Sequence, residues 1–207
     1  MIGLIGRKMK MDQLFMANGE VVPVTVVEAG PCPITQVKTK ETDGYNAVQL
    51  GFGNKKRLNK PTKGHLKKSK IESSDKLAEM RIKDPSPYKI GNILSIEIFK
   101  EGELVQIVGC TKGRGFAGGV KRWGWAGGPA THGSCFHRRP GSIGSHTYPG
   151  RVWKNRKMPG RYGNEQVTIK NLKVIKIEKD KNLLWLKGAV PGPRNGYLII
   201  RKTKDGN

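Results

Sequence analysis

The sequence predicts a mainly β protein, an all-β barrel or sandwich, interrupted by a long irregular basic insertion. Three observations carry this prediction. Short β-branched runs recur at roughly ten-residue spacing between Gly, Asn and Asp turns. Helix signals are confined to two short stretches. Residues 111–163 differ in composition from everything around them.

In chain order, Asp12 to Ala17, Asn18-Gly19 and Glu20 to Ala29 read as a hairpin whose Asn-Gly pair suits a type I′ turn. Pro23, inside the β-branched run Val21 to Val27, places that strand at an edge or a bulge. Ile34 to Thr39, an Asp43-Gly44 turn and Tyr45 to Phe52 continue what reads as a meander. Ile93 to Phe99 alternates as a strand, Glu101-Gly102 turns, and Leu104 to Cys110 returns. Gln166 to Ile169, Leu172 to Ile177, Leu183 to Leu186 and Tyr197 to Ile200 read as the closing strands. The two short helix signals are Asp75 to Arg81 and Gly119 to Trp123.

Charge divides the chain more sharply than pattern does. The 207 residues carry 39 Lys and Arg against 16 Asp and Glu, a formal net charge of +23. Residues 1–50 are neutral, 51–70 carry +8 and 111–163 carry +11, each of the latter two stretches without one acid. No carboxylate occurs between Glu103 and Glu165. Such a stretch repels itself unless a polyanion neutralises it, and a phosphate backbone is the natural one. A membrane surface fits less well, because no apolar helical face accompanies the cations. The same stretch holds 13 of 28 glycines, three of four tryptophans and three of four histidines, with no sustained period. It is expected to gain order by wrapping its partner.

Compartment signals agree with that reading. The start reaches Arg7 after six residues, without the apolar run of a secretory signal. Cys32, Cys110 and Cys135 are an odd set with no C-x-x-C pair, so a reducing compartment and incidental thiols are expected.

Two motifs suggest chemistry and do not sustain it. Gly113-Arg-Gly115-Phe-Ala-Gly118 has the G-x-G-x-x-G spacing, but a dinucleotide or kinase site needs downstream carboxylates that the stretch lacks. What remains is backbone able to approach phosphate closely, with Lys112 and Arg114 beside it. His132, Cys135 and His137 sit close in sequence but without an evident fourth zinc ligand or an orienting acid. Cations alternating with aromatic residues and turns suit folded RNA: Arg and Lys meet phosphates, and rings stack on unpaired bases.

The ordered string Lys112-Gly-Arg-Gly-Phe-Ala-Gly118, Val120-Lys-Arg122, Ala130-Thr-His-Gly-Ser134, His137-Arg138, Pro140-Gly-Ser-Ile-Gly144, Pro149-Gly-Arg-Val152, Gly163-Asn164, Val167-Thr168 and Lys187-Gly-Ala-Val-Pro-Gly192 resembles the bacterial-type ribosomal protein L3 family. Ile2-Gly-Leu-Ile-Gly6, Lys60-Pro61 and Gly64-His65 are similar too, so the resemblance spans essentially the whole chain. It implies a translation-factor-type β-barrel with a long extension that penetrates large-subunit (23S-type) rRNA toward the peptidyl transferase centre. It also implies early assembly and contacts with ribosomal proteins L14 and L19. The chain departs from the family pattern at Lys10-Met11-Asp12, where Gly-Met-Thr is usual. Thr147 stands where some relatives carry an N-methylated glutamine, so that modification has no acceptor there.

The combined expectation is a structural RNA-binding protein, cytoplasmic and ribosome-bound, without catalysis, cofactor, metal, membrane partner or small-molecule substrate. Residues 1–110 and 164–207 form the β-barrel domain, with a basic loop at 51–70; residues 111–163 form the extended arm. Expected RNA contacts in the loop are Lys55, Lys56, Arg57, Lys60, Lys63, His65, Lys67 and Lys68. In the arm the expected cationic contacts are Lys112, Arg114, Lys121, Arg122, Arg138, Arg139, Arg151, Lys154, Arg156, Lys157 and Arg161. Trp123, Trp125, His132, His137, Ser145, His146, Thr147, Tyr148 and Trp153 complete the set. A general nucleic-acid-compacting protein is the alternative.

Overall fold

The computed structural model describes residues 3–203; Ile2, which opens the family-like motif, lies outside them. The chain separates into two compact units, one made of the flanking stretches up to Thr111 and from Gln166, the other Lys112–Glu165.

In the first unit, β1 (Gly3–Phe15) and β2 (Val21–Ala29) form a long hairpin. Its loop differs from the expected type I′ turn. Among Ala17, Asn18 and Gly19 only Gly19 is left-handed (φ +80°), and Met16 and Glu20 close a longer loop around it. Gly30 (φ +77°) then turns the chain out of the hairpin. β3 (Cys32–Lys38), a helical turn α1 (Lys40–Asp43) and β4 (Ala47–Phe52) follow. The basic loop contains a helix, α2 (Lys60–Lys67), with Pro61 in its first turn and Leu66 buried beneath it. After it come β5 (Lys76–Arg81) and the two-residue β6 (Ile93–Leu94).

Two expected assignments fail here, each for its own reason. Lys76 to Arg81 consists of good helix formers, yet it pairs residue for residue with β4 and buries Met80 completely. The open edge of β4 outweighs local propensity. Ile93 to Phe99 holds strand geometry for two residues and then closes a 3₁₀ turn over Ile96–Ile98. Ile96 and Phe99, three apart, are the residues that become buried, while Leu94 and Ile98 pack half-buried against the core. The meander is also corrected: β3 neighbours β4 and β6, not β2, in a separate sheet ordered β5-β4-β3-β6.

β7 (Leu104–Cys110) returns to the first sheet. In the second unit β8 (Phe116–Ala117), α3 (Gly119–Trp123) and β9 (Gly160–Arg161) are the regular elements. β10 (Gln166–Glu178), β11 (Leu183–Lys187) and β12 (Tyr197–Lys202) complete the chain. The two strands expected between Gln166 and Ile177 are one. A bulge between Ile169 and Leu172, with Asn171 at φ +58°, keeps it in register with β7.

The order β1-β12-β7-β10-β11-β2 closes into an antiparallel barrel with no free edge. Pro23 sits where it costs nothing: β2 pairs with β11 only from Val24 onward, and the Pro23 carbonyl accepts from Gly188 N–H. Alternate residues fill the interior, including Val105 and Ile107 on β7, Leu184 and Leu186 on β11, and Leu198 and Ile200 on β12. Ile34, Leu50, Phe52 and Met80 of the second sheet belong to the same core. Cys32 lies in it, its thiol pushed up to about 12 by burial and donating to the Ile5 carbonyl. The Lys187–Gly192 motif is tied to the first hairpin: Lys8 Nζ donates to the Val190 and Gly192 carbonyls at 2.9 and 3.3 Å, and Thr25 Oγ1 donates to Gly188 O at 2.6 Å.

Ile107, fully buried on a strand paired on both sides, should be among the costliest positions. Ile107→Ala is expected to lower stability by about 2–5 kcal/mol, read as a reduced urea midpoint.

On the second sheet Lys38 Nζ reaches Glu79 at 2.7 Å and donates to the Tyr45 hydroxyl, which in turn donates to Glu79. The Lys38 hydrogen bond, then that of Tyr45, holds Glu79 below the ordinary carboxylate range. A lowered carboxylate stabilises the fold above its unfolded value, near 4.5, and loses that contribution as pH falls through its native value. Glu79→Gln should therefore reduce stability at neutral pH and flatten the acid limb of a stability-against-pH curve below about pH 4.5.

Candidate nucleic-acid interface

In the first unit, residues 55–70 present their cations on an ordered scaffold. Lys55, Lys56 and Arg57 are exposed on the segment after β4; Lys60, Lys63 and Lys67 are exposed on α2, and Lys68 caps it. Buried Leu66 and the Ser69 hydroxyl bonded to its carbonyl fix the helix orientation. His65 is half-buried, its Nε2 2.7 Å from Gln49 Oε1, so its ring is committed to the second sheet. Gln49 also bonds Thr35 and Glu79, which links α2 to the Lys38 network.

In the second unit the two ends of the stretch zip together. Arg114 N–H donates to Tyr162 O, Tyr162 N–H donates to Gly115 O, and Phe116 and Ala117 pair with Arg161 and Gly160. Gly163 (φ +72°) permits this approach; a Cβ there would stand 2.1 Å from the Lys112 carbonyl. α3 follows the ladder and is clamped to the returning chain. Arg122 Nη1 and Trp123 Nε1 both donate to the Met158 carbonyl, at 2.9 and 2.8 Å. The Trp125 ring packs directly against Gly119, where any Cβ would overlap it. Arg122, Trp123 and Trp125 thus organise the unit itself, whatever surface they also offer.

Farther along, Gly128 N–H donates to the Phe136 and His137 carbonyls, and His137 Nδ1 lies 2.9 Å from Pro129 O. Arg156 donates to Ser142 O at 2.6 Å. His146 bonds the neighbouring Thr147 hydroxyl, and Ser145, Thr147 and Tyr148 are exposed, Tyr148 to 88%. His132 (φ +57°) is exposed in a tight turn. Lys112, Lys121, Arg138, Lys154 and Arg161 are also exposed. No group of three or more His, Cys, Asp or Glu among the described residues could hold a metal.

The electrostatics are one-sided. Eleven Lys and Arg share the Lys112–Glu165 unit with a single carboxylate, Glu165. Rings take the place of acids. Arg114 lies over Tyr162, Arg122 and Lys157 over Trp123, Arg139 over Phe136 and Arg151 over Trp153, at 5.0–5.9 Å. Each contact is worth about 0.5–1 kcal/mol at an exposed site. A cation held this way keeps its charge and its outward N–H groups for phosphate. Phe136, Tyr162 and the Met158 carbonyl are structural anchors of this unit whose partners no local pattern reveals. Their one signal was the alternation of cations with rings.

The ladder supplies a direct test. Gly163→Ala meets both the left-handed backbone and the Lys112 carbonyl, so it should cost more than about 1 kcal/mol locally. Hydrogen exchange at the Arg114 and Tyr162 amides should accelerate at least fivefold, while the barrel's unfolding midpoint stays within a degree or two.

Comparison with known proteins matches the sequence of this chain to a family. Residues 88–183 fit the family model described as "Ribosomal protein L3". The chain is 53% identical over 201 residues to the "Large ribosomal subunit protein uL3" of Thermotoga petrophila, covering 97% of each chain. It is 50% identical to the protein of the same name from Thermosipho melanesiensis, covering 98% of each. It is 51% identical to that of Heliobacterium modesticaldum, covering 97% of this chain and 96% of the relative. With half of all positions shared along essentially the full length of chains bearing that one name, this chain belongs to the ribosomal protein L3 (uL3) family.

Proposed function

We propose that this protein is a structural, non-catalytic component of the large ribosomal subunit that binds the 23S-type rRNA directly through residues 111–163 and the 55–70 patch. The observation that carries the proposal is the Lys112–Glu165 unit, which folds eleven cations around rings and carbonyls with one carboxylate among them. Without a polyanion the eleven cations repel one another, whereas neutralising phosphates releases counterions and offsets the self-repulsion. The six-stranded barrel serves as a translation-factor-type body that stays outside the RNA, while the 111–163 arm reaches toward the peptidyl transferase centre. Binding occurs early in subunit assembly, and ribosomal proteins L14 and L19 are its neighbours in the cytoplasmic ribosome.

The test is the salt dependence of rRNA binding. Neutralising about six to ten phosphates gives a slope of log affinity against log salt of roughly −5 to −9. A slope near −1 or −2 would sink the proposal. Equal affinity for duplex DNA and folded rRNA would favour a general compacting role. Arg138→Ala with Arg139→Ala should weaken rRNA binding about tenfold and leave the melting temperature within a degree or two.

A further inference from the structure

The Lys112–Glu165 unit encloses a cleft of about 670 Å³, within the size range of sites for small organic ligands. Trp125 and Phe136 line it with aromatic surface, Ile143 adds an aliphatic wall, and Arg139, Arg156 and Lys157 line it with positive charge. The frame is held by the protein's own bonds. Gly128 N–H joins the 125–128 limb to the Phe136 and His137 carbonyls. The Trp125 ring is seated on Gly119, and Arg156 ties its own segment to Ser142 O. Arg139 lies over the Phe136 ring at 5.9 Å.

The lining defines the occupant. Three cations and no acid exclude an amine or a metal cation and call for an anion. Two aromatic walls are wasted on a bare phosphate and suit a planar ring beside it. A nucleotide has both parts, but in a regular helix its base is stacked and paired and cannot enter a cleft. We infer that this cleft receives the base of one nucleotide extruded from the RNA, stacked against Phe136 and Trp125, with its phosphate held by Arg139 and Arg156. The inference rests on the RNA-binding reading above and adds what that reading lacks, recognition of a single unstacked nucleotide in a surface otherwise built for backbone. An unpaired bulge already lacks its partner, so extruding it costs little.

The experiment compares the full chain on two RNA hairpins, one with a single bulged adenosine and one with an abasic residue at the same position. Their phosphates are identical. Stacking in the cleft should make the bulged adenosine hairpin bind about tenfold tighter. Phe136→Ala should bring the ratio of the two affinities close to one, and Phe136→Tyr should keep it near tenfold. Equal binding of the two hairpins overturns this inference and leaves RNA binding intact; binding of neither overturns both. A 5-iodouridine at the bulged position tests the unsubstituted protein independently of any folding effect. Photocrosslinking to Trp125 or Phe136 is expected, and crosslinks confined to other residues overturn the assignment.

Discussion

The absence of any carboxylate between Glu103 and Glu165 is the constraint on which the rest of this structure turns. A stretch with eleven cations and no acids between Glu103 and Glu165 cannot fold by pairing charges within itself. The Lys112–Glu165 unit instead uses groups that attract cations without carrying charge. Aromatic faces lie under Arg114, Arg122, Arg139, Arg151 and Lys157, and main-chain carbonyls accept from Arg122 and Arg156. These contacts fix direction and leave the positive charge undiminished. Order and charge, which usually oppose each other in a basic segment, are obtained together.

The barrel makes so long an insertion tolerable. β7 ends at Cys110 and β10 begins at Gln166, and these two residues are direct partners across the same ladder. The inserted segment therefore leaves and re-enters at adjacent points on one paired edge. Closing a loop of that length costs only logarithmically more than closing a short one. The stability that offsets the cost comes from elsewhere, from a closed antiparallel sheet filled by Val105, Ile107, Leu184, Leu186, Leu198 and Ile200. Folding stability is thereby supplied by residues outside the insertion, so the Lys112–Glu165 unit can be rich in glycine and charge without an aliphatic core of its own.

Much of the β framework was legible because the barrel strands bury one face each and alternate accordingly. The misread segments lack that alternation or contradict it. Lys76 to Arg81 has helical composition and became a strand because β4 offered an unpaired edge. Ile96 and Phe99 enter the core at a spacing of three, which a period of two cannot detect. In the candidate interface the cations were legible one by one, since charge needs no neighbour to be counted. The commitment of His65 to Gln49, and of Arg122 and Trp123 to the carbonyl of Met158, was not. Those bonds join residues 16, 36 and 35 positions apart, and no local pattern announces them.

By itself the sequence determined the chemical character of this protein: a β body of nearly ordinary composition, and a glycine-rich, acid-free segment of strong positive charge. Both are properties of composition and short-range period, which survive in an unfolded chain. Tertiary structure alone decided which strands close the barrel and which cations and rings are spent on holding the arm together. It also decided that Trp125, Phe136, Arg139 and Arg156 surround one cleft. The physical reason is the same in each case. Pairing of strand edges, approach of glycine backbones and seating of a ring on a cation depend on distances between residues far apart in the chain, and only folding sets those distances.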